Sequence, residues 1–453
     1  MSDRAAALTR ELMSEIAAWH AGEEEYLQAV EEVVRAVITV EKADAQYTAA
    51  RVLRRLAEPD RVIAFRVEWA DDKGEIRLNR GWRVQHSNLM GPYKGGLRFH
   101  PSVTRSILKF LAFEQTFKNS LTDLPLGGGK GGSDFDPSGH SDAEIMRFCQ
   151  AFMGELVRYI GPSRDVPAGD IGVGTREIGY LAAAYKRATG EAEGAITGKA
   201  LCIGGSELRV EATGYGLVYF VCAMLARAGE EIEGKRVAIS GKGNVARHAA
   251  RKAMQLGATV VSLSDSSGLI AAEDGLSVEA LDWITARADA GQSVDTPPKR
   301  VGFEYLPGKK PWQIECDIAL PCATQNELDA DDARALVEGG CRFVAEGANM
   351  PLTNKAAAVL LKAGVLHAPG KASNAGGVVV SALEMRQNAA FRSMPAEEVD
   401  GLLRDIMVGI HRLICEEANR GTAKSTAEVD YVRGANIAAY RRLARAVVDH
   451  GLI

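Results

Sequence analysis

The chain has 453 residues, and 54 lysines and arginines against 59 aspartates and glutamates give a formal net charge of −5. Hydrophobic residues make up 46% and charged residues 25%, which is typical of a globular protein and excludes a disordered, collagenous or coiled-coil chain. At about 150 residues per domain the length predicts two or three domains, and the slightly acidic balance argues against a nucleic-acid partner.

Helices are predicted for about the first 60 residues, where apolar residues recur at helical spacing among charged ones. These apolar residues are Leu8, Leu12, Ile16 and Trp19. Alternating polar and apolar residues over 61–87 predict two strands joined by a turn at 72–74. A helix is then expected from Pro101, and another over 142–160, which ends at Gly161 and Pro162.

The second half of the chain alternates short apolar runs with helical segments. The strand-like runs lie at 235–240, 258–265, 316–321, 341–346 and 363–369. A glycine loop and a helix ending near Gly257 follow the first run. This alternation predicts an α/β protein with a doubly wound parallel sheet. We expect a domain change near 200–205, an exposed insert at 289–300 and a closing helix at 437–448.

Cysteine usage and the apolar stretches indicate the compartment. The seven cysteines form no CxxC pattern, and no HExxH occurs, so we expect no metal site and no disulfide framework, but free thiols in a reducing compartment. The N-terminal MSDRAAALTR lacks the apolar core of a secretory signal. The apolar stretch 217–226 is about half the length that spans a bilayer. These features predict a cytoplasmic protein with no membrane contact.

The sequence GKGNVA at 241–246 follows a predicted strand and opens a predicted helix. In that context Gly241 permits a tight turn, Gly243 lets the backbone approach a pyrophosphate, and Ala246 lets helix and strand pack closely. The N–H groups at the helix N-terminus are then available to the phosphates. The motif therefore predicts a Rossmann-like dinucleotide site rather than a purely structural turn.

The type of dinucleotide depends on the end of the next strand. An acidic residue about 20 positions after the glycines typically binds the ribose hydroxyls, which favours NAD. Asp265 lies there, but between Ser264 and Ser266, which could also bind a phosphate. The spacing alone leaves NAD and NADP open.

Three lysines with unusual surroundings lie within 40 residues of one another. Lys94 and Lys130 stand among glycines in GPYKGG and LPLGGGKGG, and Lys118 stands three residues after Gln115, on the same face of one helix. Such a cluster suits a dianionic substrate, and crowded cations lower a lysine pKa so that one amine can act as a base. Asp170, in the glycine-rich VPAGDIGVG, is a candidate acid–base partner.

These motifs, with FEQTFKNSL, GGSELRVEATGYG, LPCATQNEL, EGANMP, NAGGVVVSALEM and YVRGANIAAY, resemble the glutamate dehydrogenases. The resemblance runs from about residue 60 to the C-terminus and is strongest to the small-subunit, NADP-dependent hexameric branch. It implies two domains: 1–203 with a C-terminal helix at about 427–453 for substrate binding and oligomerisation, and 204–426 for the dinucleotide. It also implies a homohexamer that interconverts L-glutamate with 2-oxoglutarate and ammonium.

The resemblance also implies roles for individual residues. Lys130 is the implied catalytic lysine and Asp170 its proton-relaying partner. Lys94 and Ser381 are implied to bind the distal carboxylate, and Gln115 and Lys118 the α-carboxylate, with the Gly169 backbone against the substrate. The implied cofactor contacts are Arg209, Thr213, Gly241, Gly243, Asn244, Val245, Ser264, Asp265 and Asn374.

Some questions stay open. SDSSG at 264–268 favours NADP by resemblance, with NAD or dual use as the alternative, and Arg287 and Lys299 are candidates for binding the 2′-phosphate. Lys242 and His86 depart from the residues expected at their positions. The rival functions are a dehydrogenase for an apolar amino acid, which has no use for Lys94 and Ser381, and a non-catalytic dinucleotide-binding regulatory protein.

Overall fold

The computed structural model of the chain describes residues 3–420 and 429–451, which divide into two units, each with its own β-sheet. Unit 1 comprises Met1–Arg209, Val380–Val399 and Asn436–Ile453, and unit 2 comprises Val210–Val379 and Asp400–Ala435. The change of unit therefore falls between Arg209 and Val210, slightly after the predicted 200–205. Residues 427–428 and 452–453 of the predicted C-terminal segment, and 421–426 of the predicted dinucleotide domain, lie outside the described residues.

Unit 1 begins with helices, as the sequence predicts. Its helices are α1 (Asp3–Trp19), α2 (Glu24–Ala43), α3 (Ala45–Ala49), α4 (Val52–Leu56), α5 (Arg105–Leu121), α6 (Asp142–Leu156) and α7 (Thr175–Thr189). Its strands are β1 (Arg61–Ala70), β2 (Ile76–Ser87), β3 (Tyr93–Phe99), β4 (Gly128–Ser133) and β5 (Asp165–Gly169). A short 3-10 helix covers Leu201–Ile203.

Leu12 and Ile16 are buried on α1, and Trp19 at its end is 52% exposed. Two bounds of the later helices differ from the sequence predictions. The helix expected from Pro101 begins at Arg105, because the Thr104 hydroxyl caps it by accepting a hydrogen bond from the N–H of Ile107. The helix expected to reach residue 160 ends at Leu156.

The sheet of unit 1 has the order β1-β2-β4-β3-β5. β2 is antiparallel to β1 and β4, whereas β3 is parallel to both β4 and β5. Glycine is required inside these strands, since a Cβ on Gly95 of β3 would lie 1.7 Å from the carbonyl oxygen of Gly129 on β4. Likewise a Cβ on Gly128 would lie 2.0 Å from the Thr116 hydroxyl of α5. The glycines therefore bring β3, β4 and α5 close together.

Unit 2 alternates strands and helices. Its strands are β6 (Arg236–Ile239), β7 (Thr259–Ser264), β8 (Gly268–Ala271), β9 (Glu304–Pro307), β10 (Ile318–Leu320), β11 (Phe343–Ala345) and β12 (Leu366–Ala368). Its helices are α8 (Ala212–Arg227), α9 (Asn244–Gln255), α10 (Val278–Asp289), α11 (Ala330–Glu338), α12 (Asn354–Lys362) and α13 (Gly370–Ser373). Short 3-10 helices cover Lys299–Val301 and Pro311–Gln313.

The sheet of unit 2 has the order β12-β11-β10-β6-β7-β8-β9. The strands from β12 to β7 are mutually parallel, which confirms the doubly wound arrangement. β8 and β9, which the sequence analysis did not identify, add an antiparallel edge beside β7. The five apolar runs predicted as strands correspond to β6, β7, β10, β11 and β12.

Three long helices close the chain. They are α14 (Gly376–Ala390), α15 (Ala396–Asn419) and α16 (Tyr431–His450). Each of these helices contains a boundary between the two units. Most of α14 and most of α16 belong to unit 1, and most of α15 belongs to unit 2. Within the described ranges, no helix combines the length and apolar content needed to cross a membrane.

Candidate active site

A buried lysine and an acidic residue meet at the centre of the sheet of unit 1. Lys130 lies on β4 and Asp170 directly follows β5, and Nζ of Lys130 is 2.9 Å from Oδ2 of Asp170. Arg98 of β3 donates from Nε to the same oxygen at 3.0 Å. The two residues that the sequence analysis pairs are thus in contact, and Arg98, which it did not single out, joins them.

Burial and neighbouring charges shift both ionisable groups. Burial lowers the pKa of Lys130, and Arg98 lowers it further, while Asp170 acts in the opposite direction. Burial alone would raise the pKa of Asp170, but Lys130 and Arg98 outweigh it and hold the pKa at about 2. Asp170 is therefore ionised, and Lys130 loses its proton more readily than a lysine in water.

A second buried lysine lies on β3. Nζ of Lys94 donates to the Thr197 hydroxyl at 2.6 Å and to the carbonyl oxygen of Val166 at 3.0 Å. The Thr197 hydroxyl lies 2.5 Å from that of Ser381 on α14. Lys94 and Ser381, both predicted from the sequence, are thus joined through Thr197. Nothing in the residues around Thr197 distinguishes it in the sequence from an ordinary polar residue.

The charges that most affect the pKa of Lys94 are those of Glu384 on α14 and of Arg209. Burial lowers the pKa of Lys94 well below its ordinary value; Glu384 opposes this, and Arg209 adds to it. Glu384 is fully buried and pairs with Nζ of Lys199 at 2.6 Å. Burial therefore disfavours the ammonium form of Lys94, and an incoming anion beside Lys94 and the hydroxyl pair would stabilise that form.

The remaining substrate candidates lie on α5 and β5. The Gln115 amide donates to Oδ1 of Asn119 at 2.7 Å, and the Asn119 amide donates to the backbone oxygen of Lys94 at 3.2 Å, so α5 is bonded to β3. Gln115 and Lys118 are half-buried on α5, which confirms that one helix carries both. Gly169 ends β5, and a Cβ there would lie 2.4 Å from the carbonyl oxygen of Val173.

His86 lies in β2 behind α5. It is 1% exposed, and Nδ1 lies 2.8 Å from the Thr116 hydroxyl. Burial lowers the pKa of His86 to about 3, so the ring is neutral. His86 therefore supports the helix that carries Gln115 and Lys118 without adding charge.

The glycine loop lies in unit 2 between β6 and α9, in the predicted strand–loop–helix context. Gly241 has a positive φ of 84° and donates its N–H to the Ser264 hydroxyl at 2.9 Å. Gly243 caps α9, and a Cβ there would meet nothing within 4 Å. Ala246 is fully buried against the sheet. The N-terminus of α9 is therefore open to a phosphate.

The other candidate cofactor residues have separate surroundings. In unit 2, the Asn244 amide donates to the Val210 carbonyl at 2.6 Å, and the Asn374 amide donates to the Ala348 carbonyl at 3.1 Å. Val245 and Thr213 are half-buried near the starts of α9 and α8. Arg209 ends the first segment of unit 1, and burial lowers its pKa while Glu384 opposes the shift.

The two candidates for the 2′-phosphate lie in the segment after β8. Nε of Arg287 donates to the Ser293 carbonyl, and its guanidinium lies 5.1 Å from the centre of the Trp283 ring. Lys299 begins a 3-10 helix. The cation that contacts Asp265 is instead Lys242, whose Nζ lies 2.8 Å from Oδ2.

Comparison with known proteins agrees with this geometry. The family model "Glutamate/Leucine/Phenylalanine/Valine dehydrogenase" matches residues 204–451, and "Glu/Leu/Phe/Val dehydrogenase, dimerisation domain" matches residues 59–187. The chain therefore belongs to the Glu/Leu/Phe/Val dehydrogenase family.

The relatives include enzymes named for either cofactor. The NADP-specific glutamate dehydrogenase of Salmonella typhimurium is 54% identical over 95% of both chains. The NAD-specific glutamate dehydrogenase of Bacteroides fragilis is 51% identical over 98% of this chain and 99% of its own. The crystal structure of Plasmodium falciparum glutamate dehydrogenase matches with a TM-score of 0.94 and 44% identity, covering 99% of this chain and 96% of that one.

Proposed function

We propose that the protein is an NADP-dependent glutamate dehydrogenase, which converts L-glutamate reversibly to 2-oxoglutarate and ammonium. The observation that carries this proposal is the second cationic site at Lys94. Lys94 is buried and adjoins the Thr197 and Ser381 hydroxyls, apart from the Lys130–Asp170 contact. An apolar side chain in that place would leave a desolvated ammonium without an anion, which is costly. The distal carboxylate of glutamate supplies that anion.

Substrate binding then follows from the positions of the polar groups. Lys94, Thr197 and Ser381 bind the distal carboxylate with charge-assisted hydrogen bonds. Gln115 and Lys118 on α5 bind the α-carboxylate, and the Gly169 backbone lies against the substrate. With both ends held, the α-carbon is presented to Lys130 and Asp170.

Lys130 and Asp170 move the protons. In deamination, Asp170 takes a proton from the substrate ammonium, and after loss of the hydride the substrate is an iminium. Lys130 takes a proton from the water that adds to the iminium carbon, and Asp170 returns its proton to the nitrogen of the resulting carbinolamine. The departing ammonia takes up the carbinolamine hydroxyl proton, which gives 2-oxoglutarate and ammonium and leaves the remaining proton on Lys130. Because protonated Lys130 holds the pKa of Asp170 low, loss of the Lys130 proton strengthens Asp170 as a base.

The residues of unit 2 fit a dinucleotide. The open space beside Gly243 and the free N-terminus of α9 suit a pyrophosphate. When bound, the nicotinamide supplies or accepts the hydride. Gly241, Gly243, Asn244 and Val245 would hold the phosphates, and Ser264 and Asp265 would lie at the ribose. Arg209, Thr213 and Asn374 would complete the cofactor contacts.

We further propose the division of labour between the units and the assembly. Unit 1 binds substrate and forms subunit contacts, which the match of residues 59–187 to a dimerisation domain supports. Unit 2 binds the dinucleotide. The enzyme is a cytoplasmic homohexamer, whose mass in solution tests the assembly.

An assay of cofactor oxidation with 2-oxoglutarate and ammonium, run with NADPH and with NADH, tests the function. We expect NADPH to give a kcat/KM at least about tenfold higher, or about 1.4 kcal/mol of transition-state preference. Equal or reversed ratios would overturn the NADP assignment and favour the NAD use named for the Bacteroides fragilis relative. Turnover of branched apolar 2-oxo acids instead of 2-oxoglutarate would favour the apolar amino-acid dehydrogenase. Absence of any turnover would favour a regulatory dinucleotide-binding protein.

A further inference from the structure

Asp265, at the end of β7, has both carboxylate oxygens engaged within unit 2. Oδ1 accepts hydrogen bonds from the N–H groups of Ser267 and Gly268 at 2.9 and 3.0 Å and from the Tyr305 hydroxyl at 2.9 Å. Oδ2 accepts from Nζ of Lys242 at 2.8 Å. A carboxylate oxygen offers about two acceptor positions, so Oδ1 is fully used and Oδ2 keeps at most one. Asp265 is therefore poorly suited to bind two ribose hydroxyls.

The antiparallel edge of the sheet fixes Asp265 in this orientation. Tyr305 lies on β9, two strands from β7, and reaches Asp265 across Gly268. A Cβ on Gly268 would lie 2.8 Å from the Tyr305 ring and hydroxyl, so a side chain there would displace the tyrosine. The turn after β7 and the edge strands thus hold the carboxylate in place.

Lys242 reaches Asp265 from the glycine loop. The loop is tied to the end of β7, because the Gly241 N–H donates to the Ser264 hydroxyl at 2.9 Å and the Ser264 N–H donates to the Gly241 carbonyl at 3.2 Å. Lys242 follows Gly241 directly, and its side chain is 24% exposed. Its ammonium is therefore held beside Asp265, where the glycine loop meets the end of β7.

The charge of Asp265 bears on whether NAD or NADP can bind at the end of β7. Burial alone would raise the pKa of Asp265, but hydrogen bonds from Lys242, Ser267 and Tyr305 hold the pKa below its ordinary value, so the carboxylate is ionised at neutral pH. An uncompensated carboxylate at the ribose repels a phosphate dianion. Paired with Lys242, Asp265 carries no net charge toward the ribose.

We propose that Lys242 determines cofactor selectivity by neutralising Asp265, so that the ribose site admits the 2′-phosphate of NADP(H). This inference rests on the proposed function. Lys242 is a positioning residue that acts through Asp265.

Binding of two nucleotides that need no catalysis tests the inference. Adenosine 2′,5′-bisphosphate carries the 2′-phosphate, and adenosine 5′-monophosphate lacks it; both are titrated calorimetrically into the full-length protein. We expect Lys242→Ser to weaken the bisphosphate at least about tenfold and the monophosphate less than about twofold. Lys242→Arg should keep the selectivity. Removing the carboxylate as well, in Lys242→Ser with Asp265→Ser, should restore bisphosphate affinity to within about threefold of wild type.

Lys235→Ser is the matched control. Lys235 lies in the same unit, pairs with Glu230 at 2.6 Å and has the same 24% side-chain exposure. Lys235→Ser should leave the affinities for the bisphosphate and the monophosphate unchanged. The melting temperature of each variant shows whether it is folded, and Lys242→Met, which keeps the length of the side chain, replaces Lys242→Ser if that variant is unfolded.

Three results would overturn the inference. Equal losses for both nucleotides would mean that Lys242 serves the loop or the 5′-phosphate. Unchanged selectivity in Lys242→Ser would mean that the ion pair has no bearing on the 2′-phosphate. If the double variant does not regain affinity for the bisphosphate, Lys242 does not act through Asp265. Glutamate oxidation by the wild type is measured separately: no turnover with either cofactor would overturn the proposed function, while the nucleotide selectivity would still test Lys242.

Discussion

Arg98 and Lys130 approach one carboxylate oxygen, Oδ2 of Asp170, from adjacent parallel strands, at 3.0 and 2.9 Å. A guanidinium does not give up its proton in proteins, whereas a lysine ammonium can. Asp170 therefore keeps a cationic partner when Lys130 becomes neutral. A carboxylate left without that partner in a buried site would be costly.

Replacing Lys130 by Ala should remove proton transfer while leaving cofactor binding intact, because Lys130 lies in unit 1 and the glycine loop in unit 2. Loss of general acid–base catalysis lowers kcat by about 10²- to 10⁴-fold. Steady-state kinetics on glutamate measures the loss, and adenosine 2′,5′-bisphosphate affinity is the control. A variant that keeps more than about a tenth of the wild-type kcat would make Lys130 structural.

The pH profile of kcat/KM should report the proton on Lys130. Arg98 lowers the pKa of Lys130 and Asp170 raises it. Arg98→Met should therefore raise that pKa and move the acidic limb of the profile to higher pH, and Asp170→Asn should move the limb to lower pH. Activity requires neutral Lys130 in deamination, so activity is lost as the pH falls through the limb. Arg80→Met, at an exposed arginine of β2, is the control and should leave the limb in place. Shifts of both variants in one direction would contradict this assignment.

Substrate identity should depend on Lys94 and Ser381. Charge-assisted hydrogen bonds of this kind contribute about 1.5–3 kcal/mol each, and a site built for them rejects an apolar side chain by several orders of magnitude. Lys94→Leu combined with Ser381→Val should therefore lower activity on glutamate steeply and raise it, from almost nothing, on norvaline, norleucine or methionine. Comparison of kcat/KM on each substrate measures the change. If the double variant still prefers glutamate, another group binds the distal carboxylate.

Breaking the ion pair of Arg83 and Asp165 should strongly destabilise unit 1. Both side chains are fully buried, with Nη2 of Arg83 2.5 Å from Oδ1 of Asp165. Asp165→Ala leaves the guanidinium buried without its partner, and such losses cost about 3–5 kcal/mol in the free energy of unfolding. Urea denaturation at fixed protein concentration measures it. Glu31→Ala, at the exposed pair with Arg35 on α2, should cost less than about 1 kcal/mol. If Asp165→Ala and Glu31→Ala lower the free energy of unfolding equally, the site around Arg83 relaxes or admits water.

The sequence predicts unit 2 more completely than unit 1, for a physical reason. β6 and β7 are apolar runs followed by helices, and such periodicity is directly visible. β4, by contrast, is GGKGGS, and glycine is normally depleted in strands, so its two glycines on either side of the lysine indicate a loop. Close approaches such as that of Gly95 to Gly129, and that of Gly128 to Thr116, explain them, and these contacts join residues on separate elements.

The same distinction applies to the site. Lys130 and Asp170 are identifiable from their glycine-rich surroundings and from family resemblance. Thr197 contacts Lys94 across 103 positions of chain, and no local pattern marks such a partner. Arg98 lies within an ordinary strand pattern, and its role depends on the neighbouring strand. The sequence alone therefore does not identify residues that act by pairing with a distant segment of the chain.

The three-segment composition of unit 1 has a consequence for synthesis on the ribosome. The Tyr440 hydroxyl of α16 donates to Oε2 of Glu41 on α2 at 2.9 Å, across 399 positions. Unit 1, although it includes the first segment of the sequence, therefore acquires its last helix only after both segments of unit 2 have been synthesised. The five parallel strands of unit 2 all emerge earlier, between residues 236 and 368. Nascent chains stalled before residue 436 would thus present an unfinished N-terminal unit to chaperones, and exchange of unit 2 between relatives would require two inserts rather than one.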